Sequence, residues 1–216
     1  MNVPRIINVS GIDGSGKTTV VEWLAEKLGE QGYDVDVRWL RFNHVFTKPL
    51  LAFCRLTGLT RYEYVNGIRV GYHEFYRSRV IAWLFVYLQY LDALRVRYLY
   101  LGKGAGNARK VILLDRYIYD ILIDLMIDTG IENLEKTHIG KAFLRLLPEG
   151  SLVLPILRQE KKVLGARPES RVDRNFSTRF RLYENLPEKF GLSEVRNDLG
   201  LEELLNTVAE KVGVGK

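Results

Sequence analysis

Gly11-Ile12-Asp13-Gly14-Ser15-Gly16-Lys17-Thr18-Thr19 follows directly on the apolar run 6–9 and opens a helical pattern. It fits GxxxxGK[ST], with the strand before and the helix after that this pattern requires. The glycines let the backbone turn so that successive N–H groups converge on a polyphosphate, and the helix adds its positive N-terminal end. Lys17 then reaches the β- and γ-phosphates, and the Thr18 hydroxyl holds Mg²⁺. Gly11, Asp13, Gly14, Ser15, Gly16, Lys17, Thr18 and Thr19 are therefore the expected ATP cradle, with Mg²⁺ as its metal.

Working outward, 216 residues at 47% hydrophobic content suffice for one domain spanning 1–216. Cys54 is the single cysteine, which excludes an internal disulfide and zinc-finger spacing and fits a reducing compartment. The first residues read as a strand rather than a signal peptide. The longest apolar run, 80–88, is far short of the roughly 20 residues of a membrane span. The expectation is a soluble, cytoplasmic protein with no membrane partner. Residues 38–109 hold 12 Lys and Arg against three Asp and Glu, a concentration of positive charge that attracts phosphate esters or nucleic acid.

Short Val-, Ile- and Leu-rich strands are predicted at 5–10, 34–40, 111–114, 151–156 and 193–197, with helices between them. This alternation gives an α/β fold of three layers, a parallel sheet flanked by helices. The helix at 16–30 sets Val20, Val21, Leu24 and Leu28 on one face, to pack on the sheet. Residues 41–106 are too many for a crossover and hold eight of the twelve tyrosines, so they read as a helical substrate-binding insertion. Its pattern at Val80, Leu84, Tyr87, Leu91, Leu94 and Tyr98 serves packing or a dimer face, and it ends in the run Gly102-Lys103-Gly104-Ala105-Gly106. Residues 158–175 are rich in arginine, and Gly165 and Pro168 interrupt their helical pattern. This segment reads as a lid that closes positive charge over a triphosphate.

Among phosphate-loop proteins, the absence of a guanine-reading Asn-Lys-x-Asp and of a transporter signature leaves a small kinase. Asp115-Arg116-Tyr117, Arg41-Phe42 and Phe75-Tyr76-Arg77-Ser78-Arg79 together resemble the thymidylate kinase family across most of the chain. That resemblance implies a P-loop nucleoside monophosphate kinase that transfers the γ-phosphoryl group of ATP to dTMP, with nucleotides as substrates, nucleic acid unlikely, and a homodimer. It implies that Asp13 meets the sugar hydroxyl, that Arg41, Phe42 and Arg116 face the acceptor phosphate, and that Asp115 lies by the metal. Phe75 would stack on the base, Arg79 would contact a base carbonyl, and Tyr117 would join the substrate site. Gly14 stands where some members have a catalytic arginine, which moves that role to the lid: Arg167 first, Arg158 and Arg171 behind it. Asp173, Arg179, Tyr183 and Leu186 resemble the segment after the lid.

The chain departs from the family at Asp120 and Asp124, where two carboxylates either stand near the nucleoside and change what is recognised or, recurring with Asp128 every four residues, form one solvent-facing helix side. His44, His73 and His138 read as surface or packing residues, and adenine is expected near 198–200. Two other readings stay open: a kinase for another monophosphate or small molecule, and an ATP-dependent binding module without catalysis.

Overall fold

In the computed structural model, described for residues 3–41, 43–102, 109–167 and 169–215, the strands β1 (Ile6–Ser10), β2 (Asp34–Trp39), β5 (Lys110–Asp115), β6 (Leu152–Leu157) and β7 (Val195–Arg196) form one sheet. Its order is β2-β5-β1-β6-β7, and every neighbouring pair is parallel. Both faces of a parallel sheet are covered by crossover helices, which is why β1, β5 and β6 read as near-continuous apolar runs, whereas the edge strand β2 alternates polar and apolar residues. The pleat divides them. Ile7 and Val9 with Val111 and Leu113 meet Val20, Leu24 and Leu28 of α1 (Lys17–Glu30) and Leu204, Val208 and Val212 of α10 (Leu201–Val212). Ile112 and Leu114 face the other way, onto α3 (Arg79–Val96) and α4 (Ile118–Thr129). Each such fully buried side chain contributes about 1.5–3 kcal/mol of hydrophobic transfer free energy. The result is the expected three-layer α/β fold, a parallel sheet with helices on both faces.

β1 lies between β5 and β6, and its register pairs Val9 with Asp115. The loops leaving β1 and β5 are therefore side by side at the C-terminal edge, where open α/β sheets bind their ligands.

The insertion is not all helical. After α2 (Lys48–Leu56), β3 (Thr60–Val65) and β4 (Ile68–His73) form an antiparallel hairpin, followed by a 3₁₀ turn, Phe75–Arg77, and then α3. The hairpin turns on Asn66 and Gly67, with φ of 52° and 78°. Positive φ at both central residues matches the twist of flanking strands, and Asn-Gly adopts it most readily. Asp92 of α3 fastens the start of α2: Oδ1 accepts from the N–H groups of Val45 and Phe46, each at 2.8 Å, and Oδ2 accepts from the N–H and hydroxyl of Thr47.

α5 (His138–Leu144) follows α4. α6 (Glu160–Ala166), α7 (Glu169–Val172), α8 (Phe176–Glu184) and α9 (Leu186–Phe190) complete the chain before β7. Gly165 lies inside α6 rather than interrupting it. Phe42, Pro168 and residues 103–106 of the glycine run lie outside the described residues. No helix among the described residues is long and apolar enough to cross a membrane.

Candidate active site

The phosphate loop has the backbone that its glycines permit. Gly11 and Gly16 have φ of 151° and 106°, and a Cβ there would come within 2.4 Å of the Ile156 carbonyl and 2.6 Å of Asn197 Nδ2. Gly16 starts α1 without a side-chain cap, so the first-turn N–H groups remain for an anion. Lys17 is buried and its ammonium donates to the Ile12 carbonyl at 2.6 Å. Burial first, and Arg116 next, pull its pKa down to about 7, against the opposing pull of Asp13, Asp120 and Asp115.

Arg116 follows β5 with φ of 67°, a left-handed backbone that costs a non-glycine residue on the order of 1–3 kcal/mol and that clusters at functional sites. Its N–H donates to Val9 O at 3.0 Å, and its guanidinium donates to Asp13 Oδ1. Arg41 stands 3.7 Å from the other Asp13 oxygen and binds Asp124 through two hydrogen bonds, Nε to Oδ2 at 2.6 Å and Nη2 to Oδ1 at 2.7 Å. Arg179 donates to Asp124 Oδ1 at 2.7 Å. Burial would raise the Asp124 carboxyl, but Arg41, Arg179 and Arg116 outweigh it and hold the group at about 2.

These groups bound a cavity of about 500 Å³. Its lining brings Gly14, Gly16, Lys17, Thr18, Thr19 and Asp115 together with Asp13, Arg41, Arg116, Arg158 and Arg167, and Trp39 and Ala166 complete it. Arg158 donates to Gly14 O at 2.8 Å, whereas Arg171 donates to Leu164 O and does not line the cavity. Asp115 Oδ1 is buried without a protein partner, and burial, helped by Asp120 and Asp13, raises its pKa against Arg116 and Lys17. An orphaned carboxylate oxygen sharing a cavity with the Thr18 hydroxyl fits a hard cation or its water.

A second cavity, about 160 Å³, continues from Arg41. His44, His73, Gln89, Asp124, Asp128 and Arg179 give it polar walls, and Phe85, Ile121 and Leu125 its apolar ones. Gln89 Nε2 and His44 Nδ1 are 3.0 Å apart. Burial, with His44 and Arg55, pushes His73 down to about 4, so the ring is neutral at pH 7. From the basic segment, Val172 O accepts from the Tyr72 hydroxyl of β4, which in turn accepts from Arg174 N, while the Arg174 side chain pairs with Glu74 and Glu63.

No protein-family model and no curated protein matches the sequence. Solved structures do. The thymidylate kinase of Candida albicans superposes over 98% of this chain and 92% of its own, with a TM-score of 0.62 and 15% identity. That of Ehrlichia chaffeensis superposes over 95% and 96%, with 0.56 and 13%. The fold is that of solved thymidylate kinases.

Within this thymidylate kinase fold, several residues stand elsewhere than the sequence predicts. Phe75 is fully buried, between His73 at 5.0 Å and Phe85 at 4.5 Å between ring centroids, and has no face to offer a base. Arg79 is exposed at the first turn of α3 and lines neither cavity. Ser78, extended at φ −136°, caps α3 between them, so the two do not share a helix face. Tyr117 is also core, its hydroxyl donating to Ala93 O at 3.2 Å. The aspartates of α4 face inward rather than to solvent. Asp120 is fully buried and accepts from the Tyr183 hydroxyl at 2.7 Å, Asp124 holds two arginines, and Asp128 lines the smaller cavity with its pKa raised by burial and by Asp124. His44 and His73 line that cavity, and His138 is exposed. Gln89 escaped the sequence reading, although a glutamine among Ala82, Phe85, Val86 and Ala93 is the polar interruption that marks a pocket.

Proposed function

We propose that the chain is a kinase that transfers the γ-phosphoryl group of Mg·ATP to the phosphate of a nucleoside monophosphate, with dTMP the first acceptor to test. One observation carries this reading: a single cavity gathers the phosphate loop, Lys17, Thr18 and Asp115 with Arg41, Arg116 and Arg167. A phosphate monoester with a second pKa of about 6 is largely dianionic at pH 7, so transfer needs no general base. What it needs is two repelling anions held in line. The loop N–H groups and Lys17 hold the donor. Arg116 and Arg41, oriented by Asp13 and Asp124, hold the acceptor phosphate, and Arg167 with Arg158 meets the charge that spreads during transfer. When bound, Mg²⁺ held through Thr18 and Asp115 would neutralise charge on the β- and γ-oxygens.

The buried Phe75 and the outlying Arg79 favour a second reading, in which the acceptor is a phosphate ester other than dTMP. In either reading the exposed stripe Val80, Leu84, Tyr87 and Leu91 on α3, with Tyr98 in the turn after it, is the surface for a homodimer, and soluble nucleotide substrates and a lone thiol suit the cytoplasm.

The test is a comparison of kcat/KM with Mg·ATP across dTMP, dUMP, dCMP, dGMP, UMP and thymidine. Turnover of a monophosphate that disappears in Lys17→Ala supports the kinase, and preference for dTMP supports the first acceptor. ATP binding with no turnover of any phosphate ester would instead establish a regulatory nucleotide site.

A further inference from the structure

The smaller cavity does not end at His44. His44 and Leu51 also line a third space of about 650 Å³, which runs between α2 and α3 and is bounded by Lys48, Arg55, Arg95 and Tyr100. Arg41 joins the phosphate cavity to the acceptor pocket, and His44 with Leu51 joins that pocket to this groove, so the three spaces lie in series.

The groove is cationic, and its sequence neighbourhood leaves it so. The three carboxylates of the stretch 38–109 are Glu63, Glu74 and Asp92. Glu74 is committed to Arg61, Arg77 and Arg174, and Glu63 to Arg174. Asp92 is the nearest acid in sequence to Arg95, but both its oxygens are taken up by the N–H groups and hydroxyl that start α2. No carboxylate lines the groove, and among the described residues Lys48, Arg55 and Arg95 form no ion pair. Arg55 has instead the Tyr62 ring, 6.0 Å away. Three like charges around one space repel one another and are relieved by an anion. The polar pocket of about 160 Å³ between this groove and Arg41 suits a compact body such as one sugar or one heterocycle.

We propose that the acceptor carries a second anionic group, a phosphate or a carboxylate, at the end remote from the reacting phosphate, and that Lys48, Arg55 and Arg95 bind it. This rests on the kinase reading above and narrows its acceptor to a phosphomonoester with anions at both ends. Arg41 grips the end that reacts, and the groove grips the end that does not.

The test uses acceptor pairs differing only in the remote anion: UMP against orotidine 5′-monophosphate, and ribose 5-phosphate against ribose 1,5-bisphosphate. With the full chain and Mg·ATP, the doubly anionic member of at least one pair should show a kcat/KM higher by about tenfold, the factor for one charge-assisted contact. That ratio should fall to about one in Lys48→Ala/Arg95→Ala and in Arg55→Ala. Being a ratio within one variant, it is insensitive to partial loss of folded protein. Equal kcat/KM within both pairs overturns the proposal. If no probe is phosphorylated, titration calorimetry on the same pairs separates the two readings. Tighter binding of the doubly anionic member, lost in the variants, retains the groove without the kinase, and equal binding overturns the groove too. Inorganic phosphate that binds in a Lys48- and Arg95-dependent way, without preference within either pair, identifies a separate anion site and overturns the assignment to the acceptor.

Discussion

Replacing Asp124 with Asn keeps the shape of the side chain and removes the charge that faces both Arg41 and Arg179. The three side chains are only 10%, 17% and 20% exposed for Arg41, Asp124 and Arg179, so solvent screens the pairs weakly. A carboxyl held at about 2 rather than its ordinary 3.8 reports about 2.4 kcal/mol of net preference for the charged form, after the penalty of burial. Removing one partner of a buried ion pair typically costs about 3–5 kcal/mol, because the other charges stay behind unpaired. Together these give an expected loss of about 2–4 kcal/mol, or about 4–16 °C in melting midpoint for a chain of this size. Urea unfolding at pH 7 measures it, and a pH series supplies the sign. Since folding lowers this pKa, the contribution is present above pH 4 and is lost as pH falls from 3.8 towards 2, so the two proteins should converge in acid. In kinetics the variant should raise KM for the acceptor more than for ATP, because Arg41 and Arg179 lose their anchor and the phosphate loop keeps its own. Unfolding within about 0.5 kcal/mol of the parent, together with an unchanged acceptor KM, would refute the reasoning.

Lys17 provides a proton-linked test. Its pKa of about 7 leaves it mostly neutral at pH 8, and a triphosphate restores its charge. ATP binding at pH 8 should therefore take up close to one proton, and calorimetry in buffers of different ionisation heat should show it; heats independent of buffer would contradict the burial. His73, held at about 4 against its ordinary 6.5, binds its proton more readily when unfolded. Stability should drop by about 3 kcal/mol as pH falls from 6.5 to 4, and His73→Gln should flatten that slope. Gly67→Ala places a Cβ on a residue with φ of 78° and should lower stability by about 1 kcal/mol in thermal unfolding, whereas Gly29→Ala, inside α1 with open space around it, should not.

The phosphate loop and the five strands were legible because each is a local pattern whose meaning does not depend on distant residues. The hairpin had equally local signals in Asn66-Gly67 and in the alternation of Ile68, Val70 and Tyr72 along β4, but β3 is exposed along most of its length and lacks the pattern that marks a half-buried partner strand. Helix α3 is apolar on two faces. The bulkier aromatic stripe that periodicity selects lies outside, while Ala82, Val86 and Ala93 pack inside with Gln89. Spacing of four put the aspartates of α4 on one side and could not say which, since Asp124 meets Arg41 across 83 residues and Asp120 meets Tyr183 across 63. The pairing of Phe75 with Arg79 failed for a local reason: Ser78 restarts the helix between them.

Tyr72 and Arg174 stitch the hairpin of the insertion to the basic segment after α7. A ligand that moves either side must stretch or release the same few bonds, so under the proposed function these contacts would couple the acceptor side to the nucleotide side. Linkage then imposes a symmetry on any measurement: whatever factor a bound nucleotide adds to acceptor affinity, a bound acceptor returns to the nucleotide. Cutting the stitch, as in Tyr72→Phe with Arg174→Ala, would leave each pocket its own chemistry and turn a coupled pair into two independent binding sites.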